Sequence, residues 1–268
     1  MHRFLRSVDY LFRRHVLRRP YLVATSNYSG LRLRVKTEDV IGRHLYKHGI
    51  LEAGCIRVIE RHVRLERGDV LIDVGANIGW YSLVLDRLAA ADTDIYAFEP
   101  DPGNFELLVQ NVAMNNASRV RPVPYALADQ PGTRTLYLYA QKNRGRHSML
   151  PINDGARIEI EAVTLDDFWQ QQNLADRRPG FIKMDVEGYE LFALRGARTV
   201  LQRCASVLIE YSPAYMRKAA VEPAELYDLL AGTGLQVHEI DAAGDLSPAQ
   251  RASVLAVERQ RNLFWHRG

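Results

Sequence analysis

Long apolar runs are missing from this chain. No stretch approaches the roughly eighteen residues that a membrane-spanning helix needs. Arginines interrupt every early segment apolar enough to serve as the hydrophobic part of a secretory signal. Cysteine is nearly absent: Cys55 and Cys204 stand alone, and neither has a metal-ligand or redox spacing. That argues against a disulfide scaffold and fits a reducing compartment, so the expected location is cytoplasmic. Net charge is low as well, at +3, too little to point to a nucleic-acid partner. Internal repeats and low-complexity segments are lacking. What remains is 268 residues, 47% apolar and 25% charged, the composition of a globular domain with additions.

The chain is organised around Val70 to Gly79, VLIDVGANIG. Val70 to Val74 is short, apolar and β-branched, as a buried parallel strand is. Gly75 and Gly79 bracket a tight turn, and Trp80 to Leu88 continues with helical apolar spacing. Strand, glycine turn and helix form the nucleoside-binding corner of a doubly wound α/β domain. A dinucleotide fingerprint needs a second glycine where this chain has Asn77, which disfavours an NAD oxidoreductase. Asp73 before the turn would repel a pyrophosphate and attract an ammonium group. Glu99, closing the strand Ile95 to Phe98, suits the two hydroxyls of a ribose. Together they point to an adenosyl ligand with a cationic tail, S-adenosylmethionine.

DVGANIG at 73–79, FEPDPGNFELLVQNVAMN at 98–115, TLDD at 164–167 and IKMDVEGYELFALRGA at 182–197 resemble the FkbM family of S-adenosylmethionine-dependent methyltransferases. The resemblance covers roughly 65–211. It implies a class I, Rossmann-like fold: a mostly parallel seven-stranded sheet, doubly wound, with an N-terminal helical and hairpin extension (1–64) and a small antiparallel insertion (about 133–163). It also implies O-methylation, commonly of a sugar or natural-product hydroxyl. By similarity, Gly75, Ala76, Asn77 and Gly79 form the cofactor loop, Asn104 helps at the ribose side, and Ala126, Leu127 and Asp129 stand where adenine is held.

Four acids mark strand ends: Asp73, Glu99, Asp185 and Glu210. Ligands of open α/β sheets bind at those ends. Asp185 is the first candidate for base or acceptor anchor, Glu210 the second, and His147 in the polar loop a third. Asp185, Glu187 and Glu210 are hard oxygen donors, but no spacing demands a metal and none is expected. Lys183 inside its strand has no role that the sequence reveals.

Outside this core, residues 1–20 hold six arginines against one aspartate, with Phe4, Leu5, Val8, Leu11, Phe12 and Val16 at helical spacing. The preferred reading is a helix packed on the core with solvated arginines; the alternative is a basic amphipathic helix lying on an anionic membrane. Tyr21 to Val35 reads as a hairpin turning at Ser29-Gly30, and 38–64 as one or two helices broken near Gly49 and Gly54. Thr135–Tyr139 and Ile158–Val163 read as the insertion's strands, 188–201 as one helix, and 241–252 as a loop or frayed helix. Arg144, Arg146 and Arg157 would suit an anionic acceptor. No Asn-Pro-Pro-aromatic block follows Asp185, which disfavours amino-methylation of nucleic-acid bases.

Overall fold

The computed structural model describes residues 2–139, 147–151 and 155–268, with side chains from residue 4 onward. The N-terminal unit comes first. α1 (His2–Leu11) continues into a π-helical turn at Phe12–Val16, followed by the hairpin of β1 (Tyr21–Thr25) and β2 (Arg32–Lys36). Helices α2 (Val40–His48) and α3 (Ala53–His62) complete it. Asp39 caps α2 by accepting the Gly42 amide, and Gly49 ends that helix at a φ of 73°.

The core alternates strands and helices: β3 (Val70–Val74), α4 (Trp80–Leu88), β4 (Asp94–Phe98), α5 (Pro102–Met114) and β5 (Val120–Val123). The insertion follows, as β6 (Ala126–Leu127), β7 (Gly132–Tyr137) and β8 (Arg157–Val163). Then come α6 (Leu165–Gln171), β9 (Pro179–Met184), α7 (Glu190–Arg195), α8 (Arg198–Arg203) and β10 (Ser206–Tyr211). The chain closes with α9 (Pro213–Lys218), α10 (Pro223–Ala231), β11 (Gln236–Ile240), β12 (Leu246–Pro248), α11 (Arg251–Leu255) and β13 (Arg261–His266). The main sheet has the order β12-β11-β13-β10-β9-β3-β4-β5. From β10 to β5 it is parallel, and β13 inserts antiparallel between β10 and β11.

Strand period explains the two cores. Val70, Ile72 and Val74 face one apolar cluster with Leu191 and Trp265, while Leu71, Phe181 and Leu208 face the other. The hairpin's Leu31, Leu33 and Val35 belong to that second cluster, so the N-terminal unit covers one face of the sheet.

Four expectations change. The sheet has eight strands, because β12 adds to the outer edge of β11, within what reads as a loop. The insertion is a three-stranded sheet, with β6 pairing parallel to β8. The helix expected over 188–201 is two helices. Gly196 presses so closely on Ala128 that a Cβ would lie 2.0 Å from the Ala128 carbonyl oxygen. The Asp166 carboxylate then caps α8 through the Thr199 and Val200 amides at 2.9 and 3.0 Å. Finally, the preferred reading of residues 1–20 fails in its detail. Tyr10 packs inward, whereas Phe4, Leu5, Val8, Leu11, Phe12 and Val16 face solvent. Arg144 and Arg146 lie outside the described residues; Arg157 rests over the Tyr137 ring at 5.0 Å.

Candidate active site

The nucleoside end is built from backbone first. The Gly75 and Ala76 amides both donate to the Phe98 carbonyl, at 3.0 and 2.9 Å, tying the β3 turn to the end of β4. Gly75 has a φ of 74°, and a Cβ there would lie 2.0 Å from the Asp185 carbonyl oxygen. Only glycine lets the ends of β3 and β9 meet. Asn77 follows at a φ of 52° and Gly79 opens α4 at 88°.

Glu99, just past β4, accepts the Asn77 amide at 2.7 Å on one oxygen and the Asp101 amide at 2.9 Å on the other. Burial pushes its carboxyl up to about 7, against the pull of those two hydrogen bonds. Each oxygen keeps acceptor capacity for a further hydroxyl. Asp101 caps α5 through the Asn104 amide at 2.7 Å, with Pro102 in the first turn.

Gly75, Asn77, Glu99 and Asn104 line one side of a cavity; Ala126, Leu127, His147 and Met149 line the other. A carboxylate placed for a diol, beside an apolar slot of Phe98, Leu127 and Met149, fits an adenosyl group. His147 belongs to this cavity, and its Nδ1 accepts the Tyr139 amide at 3.0 Å. With Nδ1 accepting that amide, a neutral ring carries its N–H at Nε2.

Asp73 is placed differently from its neighbours. It is wholly buried on the opposite face of β3 from Val74 and forms no part of the cavity wall. Register puts it directly beside Lys183 of β9. Ser82 Oγ donates to one oxygen at 2.5 Å, and the other lies 3.8 Å from Lys183 Nζ. Burial raises the Asp73 carboxyl, with Lys183 and Ser82 pulling the other way. Lys183 also reaches Asp185 at 3.5 Å and sits 4.9 Å from the Tyr81 ring centroid. Burial works against its charge, but Asp185, Asp73, Glu52 and Glu210 outweigh it and hold the ammonium above its ordinary value.

Asp185, Glu187 and Glu210 converge: one oxygen from each lies within 4.8 Å of the others. Burial, and after it the neighbouring Asp185 and Glu187 carboxylates, hold Glu210 well above its ordinary value. The Gln260 side-chain amide bridges Glu187, at 3.2 Å, and Glu210. Glu190 underpins the turn: its buried carboxylate accepts the Val186 and Gly188 amides, both at 3.1 Å. Burial raises this carboxyl to about 7.

A second cleft opens on the other side of Asp185. Ile41, Glu52, Trp80, Tyr81, Lys183 and Glu187 contribute to it, and Gly75, Asn77 and Asp185 line both spaces. Tyr81 donates to Glu52 at 2.7 Å, and Asn262 holds the other Glu52 oxygen at 2.7 Å. Sequence reasoning missed Glu52, Tyr81 and Gln260, which lie outside the motif blocks. Their proximity depends on how the N-terminal unit and β13 fold back. For Glu52, the one local signal was the neighbouring Gly54.

A parallel sheet with an antiparallel strand inserted near one edge, a ribose-type carboxylate after its second core strand and a cavity across the strand ends define a class I methyltransferase. Residues 73–237 match the family described as the methyltransferase FkbM domain, and the chain belongs to that family. S-adenosylmethionine is accordingly its methyl donor. Hexuronic acid methyltransferase AglP of Haloferax volcanii is 27% identical over 215 residues, spanning 80% of this chain and 81% of that protein. The 31-O-demethyl-FK506 methyltransferase FkbM of Streptomyces tacrolimicus is 31% identical over 168 residues, spanning 51% of this chain and 62% of that protein. Among solved structures, methyltransferase FkbM from Methylobacillus flagellatus aligns with a TM-score of 0.47 at 22% identity, over 76% of this chain and 45% of that one.

Proposed function

We propose that this enzyme methylates a hydroxyl of a sugar, or of a sugar-like natural product, bound in the second cleft. One observation carries the reading: Asp185 lines both the nucleoside cavity and that cleft, so it borders donor and acceptor alike. The names of the two relatives, one acting on a hexuronic acid and one on an O-demethylated natural product, support the acceptor class. So does the cleft lining, where Trp80 and Tyr81 offer flat apolar surface and Glu52 and Glu187 offer acceptors for hydroxyls.

S-adenosylmethionine supplies an electrophilic methyl group on a sulfonium when bound. Glu99 accepts the ribose hydroxyls, Gly75 and Asn77 shape the loop, Asn104 stands beside the ribose, and Ala126 borders the adenine slot. Asp73 acts through Lys183, which it holds in place beside Asp185. Asp185 orients the acceptor hydroxyl and takes its proton, a contribution of roughly 10²-fold or more in such reactions. Burial and the neighbouring carboxylates disfavour charge on Glu210, which stands beside Asp185. Lys183 and Gln260 balance the carboxylate cluster with protein donors. His147 closes the nucleoside cavity.

The test is methyl-ether formation, followed by mass spectrometry across a panel of monosaccharides, uronic acids and glycosides. Asp185→Asn should lower kcat by about 10²-fold or more while S-adenosylhomocysteine affinity stays within about threefold. An Asp185→Asn enzyme that turns over normally removes the base assignment. Methylation confined to amines or carbon atoms removes the O-methylation reading.

A further inference from the structure

The helix at the start of the chain is seated the wrong way round for a surface helix. One side of residues 2–16 is fastened to the body by polar contacts. The Tyr10 hydroxyl donates to the Thr37 carbonyl, its ring packs 5.7 Å from Tyr46, and Tyr46 donates to Asp9. Arg13 closes on Asp9 at 2.8 Å. The opposite side carries the apolar stripe: Phe4, Leu5, Val8, Leu11, Phe12 and Val16 are 48–71% exposed. Scattered exposed apolar residues are ordinary, but a continuous stripe marks a surface that something covers.

Charge selects the occupant. Residues 1–37 contain nine arginines and lysines and a single acid, although the whole chain is only +3, so the rest is net acidic. That one acid, Asp9, is taken by Arg13 and Tyr46 on the fastened side. The charged groups bordering the apolar stripe are therefore cations, among them Arg14, Arg18 and Arg19, the last two exposed. We infer that residues 2–19 form a docking surface for an anionic lipid bilayer, with the helix lying flat in the headgroup region and the arginines at lipid phosphates. At 1.5 Å per residue the helical part is about 22 Å long, suited to lying in the interface and too short to span. Among the described residues, no helix is long and apolar enough to cross a membrane. α2, against which this helix rests, contributes Ile41 to the second cleft, so the bilayer contact sits one helix away from it.

Vesicle co-sedimentation of the full chain tests this. Unilamellar vesicles of one part phosphatidylglycerol to two parts phosphatidylcholine should bind the protein at least about tenfold more strongly than pure phosphatidylcholine. The Phe4→Ser/Phe12→Ser double variant should lose about tenfold or more on anionic vesicles. Arg14→Gln/Arg18→Gln should weaken binding and flatten its salt dependence. Both variants change exposed or half-exposed side chains, and an unchanged thermal shift with S-adenosylhomocysteine verifies their folding. The inference is overturned if wild type stays in the supernatant with anionic vesicles, or if the Phe4→Ser/Phe12→Ser protein binds as well as wild type. It is equally overturned if wild type is a dimer that this variant splits into monomers, since a second copy would then cover the stripe.

Discussion

At the scale of single residues, the site is a set of carboxylates made unlike one another by their surroundings. Glu99 is buried and sits near pH 7 before any ligand binds. Ribose hydroxyls donate best to its ionised form, so binding draws that carboxyl downward. Affinity for S-adenosylhomocysteine should therefore be weak below about pH 7 and rise as pH passes through it. Calorimetry from acid to alkaline pH measures this; Glu99→Gln should flatten the slope, and a flat wild-type profile would rule the argument out. For the free protein the sign is opposite. The folded Glu99 and Glu190 carboxyls lie above the ordinary 4.5, so stability from these groups is present below that value and lost as pH rises toward about 7. Lys183 is the other decisive residue. Removing its charge leaves Asp73 buried without a cation, so Lys183→Met should destabilise by about 3 kcal/mol. Adding Asp73→Asn should recover part of that loss in a double-mutant cycle. Strictly additive losses in denaturant melts would mean the pair is not coupled.

At the scale of elements, the block Phe98 to Asn115 does more than line the nucleoside cavity. Asn111 on α5 and Asn115 at its C-terminal end, about one turn apart, present their amides to the free edge of β2. Asn111 accepts the Arg34 amide at 2.6 Å, and Asn115 accepts the Arg32 amide at 2.9 Å. Each returns a bond to the same residue's carbonyl, at 3.3 and 2.6 Å. Two side chains thus stand in for a neighbouring strand and cover an edge that would otherwise invite pairing. Asn111 also donates to the Ile78 carbonyl at 2.8 Å, linking the hairpin to the nucleoside turn. Asn115→Ala should cost about 1–2 kcal/mol. Amide exchange at Arg32 should accelerate with it, and unaltered exchange there would show that the side chain contributes nothing to this edge. Gly196 is a stricter case. Its replacement by Ala forces a methyl group onto the Ala128 carbonyl and should cost about 2–4 kcal/mol, read as a fall in melting temperature.

For the whole molecule, two apolar layers sandwich the sheet, and the N-terminal unit forms one of them together with α4 and α5. The unit is thus part of the folded body, and through Ile41 and Glu52 it also walls the second cleft. Ligand binding to such a body reports globally. S-adenosylhomocysteine at a hundred times its Kd should stabilise the fold by about 2.7 kcal/mol, a rise of roughly 5–10 °C in Tm. NAD at the same concentration should give none. A shift with NAD alone would mean that the turn at Gly75 serves a pyrophosphate.

The amino-acid order alone decided the strand–turn–helix corner at 70–88, the parallel α/β class and the acids at strand ends. All of these are written in neighbouring residues, through periodicity, glycine spacing and local hydrogen bonding. Tertiary structure decided what depends on residues far apart in the chain. Register between β3 and β9 set Asp73 against Lys183 as a buried pair and gave the strand lysine its partner. Pairing at an open edge made a strand of Leu246–Pro248. The close approach of Gly196 to Ala128 split one helical pattern in two. The polar seating of Tyr10 left the N-terminal apolar stripe facing outward, because spacing along a helix shows that one face is apolar and only packing chooses which face is buried.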